Sequence, residues 1–202
     1  MSQHSYQEGS HWWVVRRPKI EVQNIVAFVD LQTQLDLDRL ELGLPGSYRR
    51  DRFPALIVKL KDPKMSFLVF GNGKMNCTGA NTIAKIEEGA VMLVDRLRGL
   101  GVEIGKDPEI KVTNVVSTVD LGLELNLDEI ALNVDNAEYE PEQFPGLVYR
   151  PHDWLHDSSP SILVFGNGKL VVAGVRDVSE ARLLVDGLVE SLRDAGVIPA
   201  QR

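Results

Sequence analysis

The chain has 202 residues, 44% of them apolar and 25% charged, with a formal net charge of −7 at neutral pH. That length and apolar share support one core or two small ones, while no apolar run approaches the roughly 18 residues of a membrane span and the first residues lack a secretory apolar stretch. A single cysteine, Cys77, excludes an internal disulfide, the scattered His4, His11, His152 and His156 suggest no metal site, and the excess of acid argues against a nucleic-acid partner unless charge is unevenly placed.

The leader, residues 1–17, contains Trp12 and Trp13 and is expected to be a mobile extension. Ile20–Leu31, IEVQNIVAFVDL, has the β-branched richness of a strand. A short amphipathic stretch, LDLDRLEL, follows at Leu35–Leu42. PALIVKLK, SFLVF and KMNCT read as three further strands, the last two joined by Gly71-Asn72-Gly73. Asn-Gly is a strong two-residue hairpin signal, because both positions tolerate positive φ. A phosphate-binding P-loop is excluded, since it needs Ser or Thr after its lysine and Met75 follows Lys74. The segment NTIAKIEEGAVMLVDRLRGLG then sets Ile83, Ile86, Ala90, Leu93, Leu97 and Leu100 at helical spacing.

The chain next repeats itself. Ile110–Leu121, IKVTNVVSTVDL, matches Ile20–Leu31 at seven of twelve positions. RFPALIVKL (Arg52–Leu60) has its counterpart in QFPGLVYRP (Gln143–Pro151), and LVFGNGK occurs letter for letter at Leu68–Lys74 and Leu163–Lys169. The closing helix of the second copy begins at DVSE, with Asp177 as N-cap and Glu180 three residues on, as in a capping box. Ala181, Leu184, Val185, Leu188 and Leu192 form its apolar stripe. The order of parts is the same throughout, so the chain is a tandem duplication: a first repeat over 18–107 and a second over 108–202.

The strands have an unusual property. An antiparallel strand normally alternates apolar and polar residues, yet Phe67 and Val69 oppose Leu68 and Phe70, and Ile162 and Val164 oppose Leu163 and Phe165. Each unit supplies one long helix, enough for one face. Burial of both faces inside one domain, or packing of the two units face to face, is one explanation. Against it, the second face also carries Asn24 and Asn114, Lys59 and Arg150, and Lys74 and Lys169, and lysine is seldom buried without a partner. A surface mixing apolar, amide and cationic groups suits a wet, anionic, partly apolar ligand.

EYEPEQFPGLVYR (Glu138–Arg150), the twin Phe–hairpin–Lys motifs and the paired NIV and NVV strands closely resemble the TATA-box-binding protein family, in its archaeal form, over roughly Ile20 to Gly196. The resemblance implies an α+β fold: a saddle of two pseudo-symmetric repeats, one curved ten-stranded antiparallel sheet with helices on the convex face and DNA beneath. It implies wedging between base steps by Phe53 with Phe70 and by Phe144 with Phe165. It gives minor-groove contact to Asn24, Val26, Leu68, Asn76 and Thr78 in the first repeat, and to Asn114, Val116, Leu163, Val171 and Ala173 in the second. Arg52, Lys59, Lys74, Arg150 and Lys169 become phosphate contacts. Glu140 and Glu142 match the segment by which the family meets transcription factor B. The chain departs from the family pattern at Asn76, where valine is expected, and at Ala173, where threonine is expected; altered or relaxed sequence preference follows.

Local charge answers the objection raised by the acidic total. Between Arg49 and Lys74 seven basic residues stand against two acids, whereas Glu140–Lys169 has two basic residues against four acids. The first repeat is therefore expected to supply much of the phosphate attraction, and affinity to fall with salt. The expected function is a general transcription initiation factor, without enzymatic activity or cofactor. It would bind A–T-rich promoter duplex, bend it, and recruit transcription factor B and, indirectly, RNA polymerase in an archaeal cytoplasm. The free protein is a candidate homodimer through the concave face. The alternatives are a divergent paralogue serving as a protein-interaction scaffold, and a substrate-recognition module of a nucleic-acid enzyme.

Overall fold

The computed structural model describes residues 18–48, 51–152, 154–155 and 159–199. The expected extension over 1–17, with Trp12 and Trp13, lies outside them, as do Arg49, Arg50 and His156. Two compact units divide the described residues, one over Val22–Val115 and the other over 116–199 with 18–21.

In the first repeat β1 (Ile20–Asp30) leads to a short helix α1 (Leu37–Glu41), then to β2 (Gly46–Tyr48), β3 (Ala55–Lys61), β4 (Lys64–Phe70), β5 (Lys74–Ala80) and the long helix α2 (Ile83–Gly99). The second repeat has the same parts: β6 (Ile110–Asp120), α3 (Leu127–Asn133), β7 (Ala137–Glu138), β8 (Leu147–Tyr149), β9 (Ser161–Val164), β10 (Lys169–Val175) and α4 (Val178–Asp194). Strand neighbours run β2-β3-β4-β5-β1 in the first repeat and β6-β10-β9-β8-β7 in the second.

One sheet face in each repeat is core. Ala27, Val29, Val58, Phe67, Val69, Met75 and Cys77 are fully buried in the first; Ile162, Val164, Leu170 and Val172 are fully buried in the second. Helix α2 buries Ile86, Gly89, Ala90, Leu93, Val94 and Leu97. It lies so close to the sheet that a Cβ on Gly89 would come within 2.6 Å of Met65 Sδ. Ile83 departs from the expected stripe and is 54% exposed, because it opens the first turn before the helix meets the sheet. Leu100 is half-buried and acts as the C-cap. In α4 every expected stripe residue is buried, and Glu180 and Val189 join them. Asp177 caps α4 as expected, accepting from Glu180 N–H at 2.9 Å, but the Glu180 carboxylate reaches back one residue further, to Arg176 N–H at 2.8 Å.

The repeated GNG tip differs from the expected two-residue turn. Gly73 N–H donates to Phe70 O at 3.0 Å, so Gly71 and Asn72 are the central residues, and only Gly73 takes positive φ, +80°. This is the three-residue hairpin with a left-handed glycine bulge. The tip is also an anchor: Leu31 N–H donates to Gly73 O at 3.1 Å and Leu35 N–H to Gly71 O at 2.8 Å. The second copy makes the same bonds, Leu121 to Gly168 at 2.9 Å and Leu125 to Gly166 at 2.8 Å. Main-chain docking of a hairpin onto the loop before the short helix explains why the seven residues occur twice.

Candidate nucleic-acid interface

The second face of each half-sheet is neither core nor ordinary surface. Along β1, Asn24, Val26 and Phe28 alternate with buried Ile25, Ala27 and Val29 and remain half-buried. Ser66, Leu68 and Phe70 on β4, and Asn76 and Thr78 on β5, do the same. In the second repeat this face holds Asn114, Val116, Thr118, Val148, Ser161, Leu163, Val171 and Ala173. Strand register joins these residues into rows. Ile57 pairs with Leu68, Leu68 with Asn76, and Asn76 with Phe28; in the second repeat Val148 pairs with Leu163 and Leu163 with Val171. Ile57, Phe28 and Val148 complete the rows although the sequence motifs did not single them out; the two-residue strand period marks them. The four phenylalanines frame the rows. Phe53, just before β3, is 41% exposed, and Phe144 is 39% exposed. Each meets its partner edge to face, Phe53 with Phe70 at 6.2 Å between centroids and Phe144 with Phe165 at 6.0 Å. Neither pair is locked in a core.

The loop before β8 sets Phe144. Glu140 O accepts from Gln143 N–H at 2.9 Å and from Phe144 N–H at 3.0 Å, while the Glu140 carboxylate accepts from Gln143 Nε2. A Cβ on Gly146 would come within 2.7 Å of the Phe144 ring and 3.1 Å of Phe165, so the absence of a side chain there admits the ring pair. Glu140 and Glu142 are both exposed.

Polar groups are distributed unequally. Asn24 Oδ1 accepts from Gly79 N–H at 2.8 Å and from the Thr78 hydroxyl at 3.1 Å. In the second repeat Ala173 takes the place of Thr78 and has no hydroxyl to offer Asn114. Lys59 is exposed on the half-buried face, in register with Ser66. Lys74 stands over the Phe28 ring, 5.9 Å from its centroid, close enough for a cation–π contact. Arg52 approaches Asp51 at 3.9 Å with both side chains exposed. Arg150 is occupied by Glu138 at 2.9 Å, an exposed pair that contributes little stability but holds the guanidinium beside an acid. Lys169 is exposed.

The family model described as transcription factor TFIID, or TATA-binding protein, matches both repeats, over residues 19–100 and 109–195. The chain belongs to the TATA-binding protein family. It is 43% identical over 185 residues to the TATA-box-binding protein of Thermoplasma volcanium, covering 90% of this chain and 98% of that one. With the TATA-box-binding protein of Methanocaldococcus jannaschii it shares 37% over 181 residues, 89% of this chain and 97% of that one. The solved structure of Methanococcus jannaschii TBP superimposes with a TM-score of 0.81 at 37% identity, covering 88% of this chain and 99% of that chain. The fold is accordingly the TATA-binding protein saddle, a ten-stranded antiparallel sheet built from two tandem repeats.

Proposed function

We propose that this chain is a general transcription initiation factor that binds TATA-like promoter DNA in the minor groove, kinks it with its phenylalanines, and recruits transcription factor B and hence RNA polymerase. Minor-groove kinking by apolar wedges is general behaviour of TATA-binding proteins. The observation that carries the reading here is the half-buried face of each repeat, apolar and amide-bearing, framed by a phenylalanine pair of which one ring, Phe53 or Phe144, is exposed. Unstacking a base step costs on the order of a few kcal/mol, offset by the surface that a bent duplex brings into contact. An A–T-rich minor groove presents acceptors alone, without the guanine amino group, and so lies closely on valine and leucine. Arg52, Lys59, Lys74 and Lys169 attract phosphates; Glu140 and Glu142, on an exposed loop, meet transcription factor B. The same sheet face is the surface for self-association of the free protein. The setting is the archaeal nucleoid.

Phe165→Ala tests the wedges. With an A–T-rich duplex labelled at both ends, energy transfer is expected to report less bending while the protein stays folded; unchanged bending removes the intercalation assignment. A second reading, a scaffold with weak DNA contact, draws on Arg150 being paired with Glu138 and on the hydroxyl missing at Ala173. Failure to bind A–T-rich duplex at low salt would favour it over promoter binding.

A further inference from the structure

The two repeats are not equivalent on the half-buried face. Where the first has Phe28, Asn76 and Thr78, the second has Thr118, Val171 and Ala173. Asn76 is the position of greatest chemical contrast. Its row runs through Ile57, Leu68 and Phe28, all apolar, and in the second repeat Val148, Leu163 and Val171 are apolar, with Thr118 standing in the place of Phe28. Asn24, the other first-repeat amide on this face, has its oxygen engaged by Gly79 and Thr78. The Asn76 amide makes no hydrogen bond to any described residue and is half-buried, with apolar Leu68 and Phe28 across the strands and Lys74 and Thr78 on the same face of its own strand.

In the minor groove an A·T pair offers acceptors alone, and a G·C pair adds the 2-amino donor of guanine. An apolar row covers that donor without replacing its water, the usual cost of an unpaired polar group. A primary amide has a carbonyl that accepts and an NH₂ that donates, and a half-turn about its terminal bond exchanges them. We infer that Asn76 makes the base step beneath it indifferent between A·T and G·C, while the step beneath Val171 admits A·T alone. The site then has a direction, with one half tolerant of guanine and the other strict. This rests on the minor-groove reading proposed above and deepens it.

The test measures affinity for A–T-rich duplexes carrying one G·C pair at each position in turn, and for the same set with inosine·cytosine, which lacks the 2-amino group. For the wild-type protein one position is expected at which G·C costs less than about threefold and inosine changes nothing. In Asn76→Val, G·C at that position is expected to cost about tenfold or more, with inosine restoring binding. Val171→Asn should open a second tolerant position in the opposite half, which keeps the test decisive if Asn76→Val fails to fold. Identical position profiles for wild type and Asn76→Val, a loss that inosine does not restore, or no gain in Val171→Asn would each overturn the inference and leave promoter binding standing. Failure of the wild-type protein to bind any duplex overturns promoter binding itself, and this inference with it.

Discussion

Gly71 and Gly73 sit two residues apart in one hairpin tip, yet one added methyl is expected to affect them oppositely. At Gly73 φ is +80° and a Cβ would lie 2.0 Å from the carbonyl oxygen of Thr33, a main-chain atom that cannot rotate away. Holding a residue other than glycine in the left-handed region costs about 1–2 kcal/mol. Relieving the clash also separates Gly73 O from Leu31 N–H, now 3.1 Å apart, a bond worth about 1 kcal/mol. Gly73→Ala should therefore lose about 2–3 kcal/mol, which lowers Tm by about 4–12 °C at 2–4 °C per kcal/mol for a chain of this size. At Gly71 the nearest atom to an added Cβ is Leu35 O at 3.6 Å, an ordinary contact, and alanine there should be neutral or stabilising by up to about 1 kcal/mol. Urea melts at constant m value, checked by thermal unfolding, measure both. Equal stabilities for the two variants would refute the argument that the tip is anchored through its main chain. The second repeat supplies a replicate, because a Cβ on Gly168 would also lie 2.0 Å from a carbonyl oxygen, that of Leu123.

Ser117→Ala should stabilise the protein by about 1 kcal/mol, since the hydroxyl is fully buried with no hydrogen-bond partner among the described residues; a fall in the urea midpoint would contradict this. Burial pushes the Cys77 thiol above its ordinary value of 9.0. The unfolded chain ionises first, so the stability this thiol contributes is complete below 9.0 and is lost as pH rises through the folded value. Urea midpoints followed upward from about pH 8 should fall more steeply for the wild type than for Cys77→Ala, and parallel slopes would remove the argument. Glu140→Arg should weaken the ternary complex with transcription factor B while leaving binding to DNA alone little changed, as judged by gel shift. Its main-chain bonds to Gln143 and Phe144 need no carboxylate, so equal losses in both assays would exclude a separate partner surface.

The repeat was legible because identity between the copies is dense where strands, tips and helices recur. Two-residue alternation likewise identified the half-buried face, down to Leu68 and Phe70 opposing Phe67 and Val69. The residues alone did not mark β2 and β7. GSY and AE are too short and too poor in β-branched residues to signal a strand, and their pairing with β3 and β8 defines them. The turn type was missed because Gly71-Asn72-Gly73 satisfies two hairpin geometries, and the bonds to Leu31 and Leu35 from a distant loop select one. The Arg150–Glu138 pair was hidden for a related reason: twelve residues separate the partners, and the β7–β8 pairing brings them together. Asn24 was readable as a polar residue on this face, but its restraint by Thr78 and Gly79 depends on pairing across more than fifty residues.

That restraint on Asn24 bears on encounter with any partner. A loose side chain must be immobilised each time a complex forms, at about 0.5–1.5 kcal/mol. Asn24 is already held by two donors. Its rotational entropy is lost once, as the chain folds, and docking against its remaining N–H then carries no such toll.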